Sequence, residues 1–377
     1  MYTRVKLNSR NLIGFNLTMM SIKDNDNSQF LISKIKQAYS SKTPLQIITG
    51  NSKEFYGRPI NFEKLDISSH TGIINYEPSE LVMTVRAGTS LSEINSALEK
   101  NHQMLAFEPP DFKSKSTIGG TIACGLSGSS RPFFGSARDF VLGTTVINGK
   151  GEVLRFGGEV IKNVAGYDAS RLMTGALGTL GVLLDVSIKV LPRPESEITL
   201  IQTLSIDAAL ELMTFLKRQA LPISGLVYYL NYLFIRLSGS TNAINKARTK
   251  IAGEILDHSK INFSWEQLDN HTLSFFDSTQ ALWRISIKPN TPVLNIEGKC
   301  IYSWAGAERW IISNNNNNDI FERVAQMNGH ASLYHFGDRT NEVFQPLSAA
   351  LLKIHMKLKK SFDPENILNP GKLYSEI

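Results

Sequence analysis

The sequence predicts an α+β protein of two domains, and three observations carry that prediction. At 377 residues the chain exceeds the usual reach of one hydrophobic core, and an apolar share of 42% against 20% charged residues can fill two. Thr117 to Val190 is dense in glycine, with Gly119, Gly120, Gly125, Gly166, Gly175, Gly178 and Gly181 set mostly among small or β-branched residues. Leu191-Pro192-Arg193-Pro194 then ends any regular element, and the segments after Ile198 follow a β-α-β-β-α order suited to a small split βαβ sheet.

Residues 1–27 read as a disordered extension or a start assigned too early, with Met20 the true start; Arg4, Lys6 and Arg10 precede a short apolar patch, but no small-residue cleavage site follows. The first domain is placed at 28–194. Ser28 to Tyr39 has a helical period through Leu31, Ile35 and Ala38, with Ser28 as its N-cap. Pro44 to Thr49 reads as a strand running into the polar turn Gly50-Asn51-Ser52-Lys53. Strands follow at 65–67, 72–76 and 81–88. Thr89 or Ser90 then caps a helix that presents Leu91, Ile94 and Leu98 on one face. Val141 to Asn148 and Glu152 to Phe156 form a hairpin around Gly149-Lys150-Gly151, and Val182 to Val190 is a further strand.

The second domain is placed at 195–313, with strands at 199–204, 225–230 and 233–237 and helices at 206–219 and 242–256. Residues 314–377 complete the chain. Asn314 to Asn318 is a solvated low-complexity loop, and helices follow at 319–328 and 348–360, the latter with Lys353, Lys357 and Lys360 on a solvated side. The tail Asp363 to Lys372 is rigid and extended and returns toward the first domain.

A net charge of +6 is modest for this length, and no Lys/Arg block suggests nucleic acid. No run of about 20 apolar residues is present, so no membrane span is expected. Cys124 and Cys300 are the two cysteines, which fits a reducing, cytoplasmic setting, either free or at the inner face of the cell membrane. Two thiols cannot hold an all-cysteine iron–sulfur cluster, which needs four.

The glycines carry the chemistry. Glycine lets a backbone approach a ligand with no Cβ in the way, and bare N–H groups in such loops form concave anion sites. The stretch from Thr117, with the turn at Gly50, reads as a wrapping for an extended dinucleotide, FAD. A Rossmann site is excluded: Gly175, Gly178 and Gly181 are spaced by three, and a strand rather than a helix follows. No P-loop and no G-x-S-x-G elbow occurs. His330, His335 and His355 lack a neighbouring acid to complete a metal set, so no metal is expected. Cys124 reads as a small residue beside a tight backbone. Lys162, Asp168 and Arg171 flank the glycine region, and Asp168 and Arg171 can equally pair on a helix or approach the ligand.

T-I-G-G-T-I-A-C-G at 117–125, R-P-F-F-G-S-A-R-D-F-V-L-G at 131–143, K-N-V-A-G-Y-D at 162–168, G-A-L-G-T-L-G-V at 175–182 and D-P-E-N-I-L-N-P-G-K at 363–372 resemble the vanillyl-alcohol-oxidase, or PCMH-type, FAD-binding flavoproteins. The likeness runs from about Ser28 to Ile377 and is greatest to the FAD subunits of glycolate-oxidising complexes. It implies a two-part PCMH-type FAD domain, completed by the C-terminal tail, with a small ferredoxin-like α+β cap. It implies that the pyrophosphate lies against Gly50, Asn51, Ser52 and Lys53 and against Thr117, Ile118, Gly119 and Gly120. Ala123 and Gly125 belong to the same site. The flavin ring is implied near Gly166, Gly181 and Val182, with Asn369 and Lys372 approaching from the tail. Covalent members carry a histidine in the first loop. Residues 50–53 have none, which implies noncovalent FAD.

Related D-2-hydroxy-acid dehydrogenases carry a histidine pair in the cap and an E-H-G segment near the end. Here the segment is Asn328-Gly329-His330-Ala331, which leaves His330 as the one candidate base. The resemblance implies a subunit of a complex that oxidises glycolate to glyoxylate, with D-lactate a second substrate. Its implied partners are a sibling flavoprotein subunit that performs the oxidation and an iron–sulfur subunit that takes the electrons. An assembly scaffold with structural or no FAD is the other class of reading; a UDP-sugar reductase on the same fold lacks its motifs here.

Overall fold

The computed structural model describes residues 24–158 and 169–377. Helix α1 (Ser28–Ser41) buries Leu31, Ile35 and Ala38. Asn27, not Ser28, occupies its N-cap, and the Ser28 N–H is held by the Asp26 carboxylate at 2.9 Å. Strands β1 (Leu45–Ile48) and β2 (Glu63–Asp66) pair in parallel beside it. β3 (Ile73–Glu77) and β4 (Val82–Arg86) lead into α2 (Leu91–Glu99), whose Ser90 cap accepts from the Glu93 N–H at 3.1 Å. Then come α3 (Ile118–Cys124), the hairpin β5 (Val141–Ile147) and β6 (Val153–Gly157), and β7 (Val182–Lys189).

These strands form an antiparallel five-stranded sheet ordered β3-β4-β7-β5-β6. Val85, Val186, Leu91, Ile94, Leu98 and Ile122 form the middle of one core between the sheet, α2 and α3. The stretch 117–125, expected as a loop, is therefore a short helix. Gly119 is what allows it: a Cβ there would stand 2.6 Å from that of Ala87, so only a bare backbone lets α3 lie against the end of β4.

The second domain opens with β8 (Ser196–Thr203), α4 (Ile206–Leu216), β9 (Ile223–Tyr229), β10 (Tyr232–Gly239), α5 (Thr241–Arg248) and β11 (Glu254–Ile255). The order β11-β8-β10-β9, all antiparallel, is that of a ferredoxin-like unit. The helix expected to run to Leu256 stops at Arg248. Gly253, at φ +128°, turns the chain so that Glu254 and Ile255 join the sheet edge beside β8.

Four more strands extend the same sheet: β12 (Leu282–Ser286), β13 (Lys299–Ser303), β14 (Glu308–Ile312) and, after α6 (Asn317–Gln326), β15 (His330–His335). Their order β13-β14-β12-β15 repeats the first unit in reverse, joined through a Tyr228–Tyr302 pairing, and the residues at 287–298 stand where that unit has its first helix. The sheet thus takes in residues beyond 313, the boundary expected for this domain. Asn316 caps α6 through the Asn318 N–H, so Asn317 and Asn318 are helical rather than loop.

Helix α7 (Ala349–Phe362) leaves Lys353, Lys357 and Lys360 exposed. Lys359, among them, is buried, and its ammonium donates to the Thr179 and Leu368 carbonyls and the Asp363 carboxylate at 2.7–2.8 Å. This pins the tail, and the Leu45 N–H donates to the Ile367 carbonyl at 2.7 Å, fastening the tail to β1. No helix among the described residues is long and apolar enough to cross a membrane.

Candidate functional site

The end of β1, α3, the turn before β7 and the returned tail enclose a half-open cleft. Its floor is apolar, with Ile47, Ile67, Met173, Leu177 and Leu183, and Tyr56 and Cys124 line its wall near Lys53. The turn after β1 forms the polar end. Among the described residues, the N–H groups of Asn51, Ser52, Lys53 and Glu54 make no hydrogen bond. Asn51 lies in the left-handed region at φ +53°, which helps turn this run of amides toward one side. The buried Lys53 ammonium donates to the Ser116 hydroxyl at 2.7 Å, and burial holds its pKa below the ordinary value. From the tail, Lys372 donates to the Glu54 carbonyl at 3.2 Å, and burial pushes its pKa down to about 8.

Asn51, Ser52, Lys53, Thr117, Gly119, Gly120, Ala123, Gly181, Asn369 and Lys372 all line this cleft. Four expectations change in character. The amides at the start of α3 are not bare: Ile118 donates to the Thr89 carbonyl and Gly119 to that of Ala87, both within 2.9 Å, and the Gly120 N–H reaches the Thr117 hydroxyl at 3.3 Å. The unpartnered amides of the cleft are therefore those of residues 51–54, and the start of α3 offers no second full row. The Ile118 and Val182 side chains point into the core. Gly50 and Gly125 are close-approach positions: a Cβ on Gly50 would meet the Lys115 carbonyl at 1.9 Å, and Gly125, at φ +64°, ends α3 against Gly175. Asn369 has both polar ends occupied by protein, accepting from the Ile47 N–H and donating to the Leu177 carbonyl at 2.7 Å each, so it braces the tail across the cleft. Gly166, with Lys162 and Asp168, lies outside the described residues.

His330 does not line this cleft; it is the exposed first residue of β15, opposite Ser286. Among the described residues no group of His, Cys, Asp and Glu could hold a metal ion.

A second, smaller inner cavity lies where the eight-stranded sheet faces the first domain, and His330 is absent from its wall as well. It meets the cleft at a pair of tyrosines: Tyr56 lines the cleft, Tyr334 lines the cavity, and their rings are 5.3 Å apart. Sheet register assembles its wall. Arg284 stands opposite Trp310, and Ser286 opposite Glu308. The Arg284 Nε donates to Glu308 at 2.7 Å, and its guanidinium lies 4.8 Å from Trp304 and 5.8 Å from Trp310. Burial raises the Glu308 pKa against the pull of Arg284. His271 lines the cavity, stacked 4.4 Å from Phe276 and set edge-on to Trp310, and burial with the nearby Arg284 pushes its pKa down to about 3, so it is neutral. Asp269, beside it, accepts from the Ser129 N–H at 2.9 Å and ties the two domains; burial and Glu108 raise its pKa well above the carboxylate range. None of these residues sits in a motif, and only their register in the sheet brings them together.

The first part of the chain, residues 26–157, matches the FAD binding domain family, and residues 315–373 match the C-terminal domain of FAD linked oxidases. The glycolate oxidase subunit GlcE of Escherichia coli K12 is 45% identical over 94% of this chain and its own full length. The glycolate oxidase subunit GlcD of Bacillus subtilis is 37% identical over 36% of this chain and 29% of its own. Among solved structures, p-cresol methylhydroxylase aligns with a TM-score of 0.72 at 15% identity, covering 93% of this chain and 87% of its own, a likeness of fold alone.

The cleft fits FAD on its own evidence: unpartnered amides and two lysines suit a diphosphate, and the apolar floor suits flat rings. The chain belongs to the GlcE family of FAD-binding oxidase subunits, built on the PCMH-type fold.

Proposed function

We propose that this chain holds FAD noncovalently as one subunit of an assembly that oxidises glycolate to glyoxylate and passes the electrons to an iron–sulfur subunit. The observation that carries this reading is the run of unpartnered amides at 51–54, beside Lys53 and Lys372, at the head of an apolar cleft. When bound, FAD supplies the electron-accepting chemistry that side chains lack. The chain's own part is positional. The amides and Lys53 hold the diphosphate, Lys372 adds charge from the tail, Ile47, Met173 and Leu183 exclude water from the rings, and Asn369 keeps the tail closed over them. The family relatives named as glycolate oxidase subunits support the substrate and the assembly. The chain's two cysteines support an electron acceptor carried by another subunit.

The test is the visible spectrum of the purified full chain. A yellow protein that releases its flavin on acid precipitation is expected, and a colourless one overturns the reading. Bleaching by glycolate makes this subunit the oxidant; an unchanged spectrum assigns oxidation to the sibling flavoprotein.

A further inference from the structure

The inner cavity contains polar groups that the fold itself does not use. Two arginines, Arg236 buried and Arg284 half-buried, lie on the domain-facing side of the sheet, each stacked on a tryptophan and paired with a glutamate. Arg236, 4.7 Å from Trp265, is engaged through two of its nitrogens: Nε donates to the Ser224 hydroxyl, and one terminal nitrogen to Glu108 and the Ser224 carbonyl, at 2.9–3.1 Å. Arg284 gives its Nε to Glu308, and the Tyr56 hydroxyl that borders the cleft lies within reach of its guanidinium. The Tyr334 hydroxyl is buried, lines the same cavity and has no hydrogen-bond partner among the described residues. A buried hydroxyl without a partner costs about 1–3 kcal/mol, so it needs an explanation, and a bound ligand is one. The ring nitrogens of His271 likewise make no hydrogen bond among the described residues.

We propose that this cavity binds a small carboxylate of about the size of glycolate, with the forked end of Arg284 opposite the carboxylate and the Tyr334 hydroxyl donating to it. Glu308, Trp304 and Trp310 fix the guanidinium plane, which is what bidentate carboxylate recognition requires. His271, uncharged and held by Phe276, offers a lone pair or an N–H to the hydroxyl of a 2-hydroxy acid without competing for Arg284. Asp269 is the other acid on the wall, and its bonds to Ser129 turn it to the first domain. The Tyr56–Tyr334 contact sets the site directly against the cofactor cleft, on the side where the chain leaves the 51–54 turn. The choice of a 2-hydroxy acid rests on the function proposed above; the carboxylate site itself rests on Arg284 and Tyr334.

Oxalate, a two-carbon carboxylate with no hydrogen to lose, is the probe. It is titrated into the purified full chain with its flavin, and tryptophan fluorescence is read because Trp304 and Trp310 flank Arg284. A saturable change is expected. Arg284→Lys, which keeps the charge beside Glu308 but removes the fork, is expected to weaken it about tenfold or more. Tyr334→Phe is expected to weaken it several-fold, and His330→Ala to leave it unaltered. Circular dichroism melting confirms that each variant is folded. Absence of saturation, or saturation indifferent to both Arg284→Lys and Tyr334→Phe, overturns the proposal. Flavin content is read separately: a colourless chain that still binds oxalate sinks the FAD reading alone, and a yellow chain that does not bind it sinks the carboxylate site alone.

Discussion

The two halves of the eight-stranded sheet share one strand order and differ in what they do with an arginine on the domain-facing side. In the half built from β8 to β11, Arg236 joins the sheet to the first domain through Glu108, and helices α4 and α5 cover the opposite face. In the half built from β12 to β15, a loop stands in place of the first helix, and Arg284 faces a cavity with a single carboxylate bond. The same side chain in the same type of sheet is a strut where it is tied to both domains, and the proposed binding group where only its Nε is bonded.

Removing the strut tests this contrast most severely. Arg236→Met leaves Glu108 partly buried without its counter-charge and is expected to cost about 3–5 kcal/mol, read as a lowered urea midpoint. Arg284→Met is expected to cost less, about 1–3 kcal/mol, because Glu308 keeps its bond from the Trp310 indole N–H at 3.1 Å and its raised pKa lets it take up a proton. Equal losses in the two variants would break the contrast.

The cleft repeats the contrast in its lysines. Lys359 meets three protein acceptors, whereas Lys372 meets one carbonyl. With its pKa near 8, Lys372 is cationic below that value and neutral above it. An anionic ligand binds the cationic form better and so raises that pKa on binding. FAD affinity is therefore expected to be flat below about pH 8 and to fall as pH rises from there to the higher pKa of the bound state, by at most about tenfold per pH unit. Lys372→Gln is expected to weaken FAD and remove this fall, as measured by flavin fluorescence across pH. The smallest effect belongs to Tyr334→Phe: deleting a hydroxyl that has no protein partner among the described residues is expected to leave stability within about 0.5 kcal/mol of the parent in the absence of carboxylate.

Much of the cleft was legible because its constraints are local. Gly119 must lack a Cβ to lie on Ala87, and the strand into Gly50 ends where the amides turn out; both leave a mark in a few consecutive residues. The amides of Ile118 and Gly119 misled for the same reason: glycines announce a close approach without saying whether the neighbour is a ligand or another strand's carbonyl. The inner cavity left no mark. His330 drew notice through its segment, yet it stands exposed at a strand end, while His271 lies in an unremarkable Leu-Asp-Asn-His-Thr run that only folding brings to Arg284. The second half-sheet went unread because the loop with Pro289 and Pro292 shows no helical period, although its strands pair as the first unit's do.

By itself the sequence determined the α+β class, the FAD family, the backbone turns of the cleft and the return of the tail, since each depends on residues close in the chain or on steric rules for glycine and proline. Only the tertiary structure decided which donors remain free. Whether Arg284, Tyr334 or an amide of α3 meets protein or a cavity depends on pairing between residues far apart in the chain, such as Arg284 with Trp310 and Gly119 with Ala87, and hydrogen-bond capacity is settled by those neighbours and not by the residue's own identity.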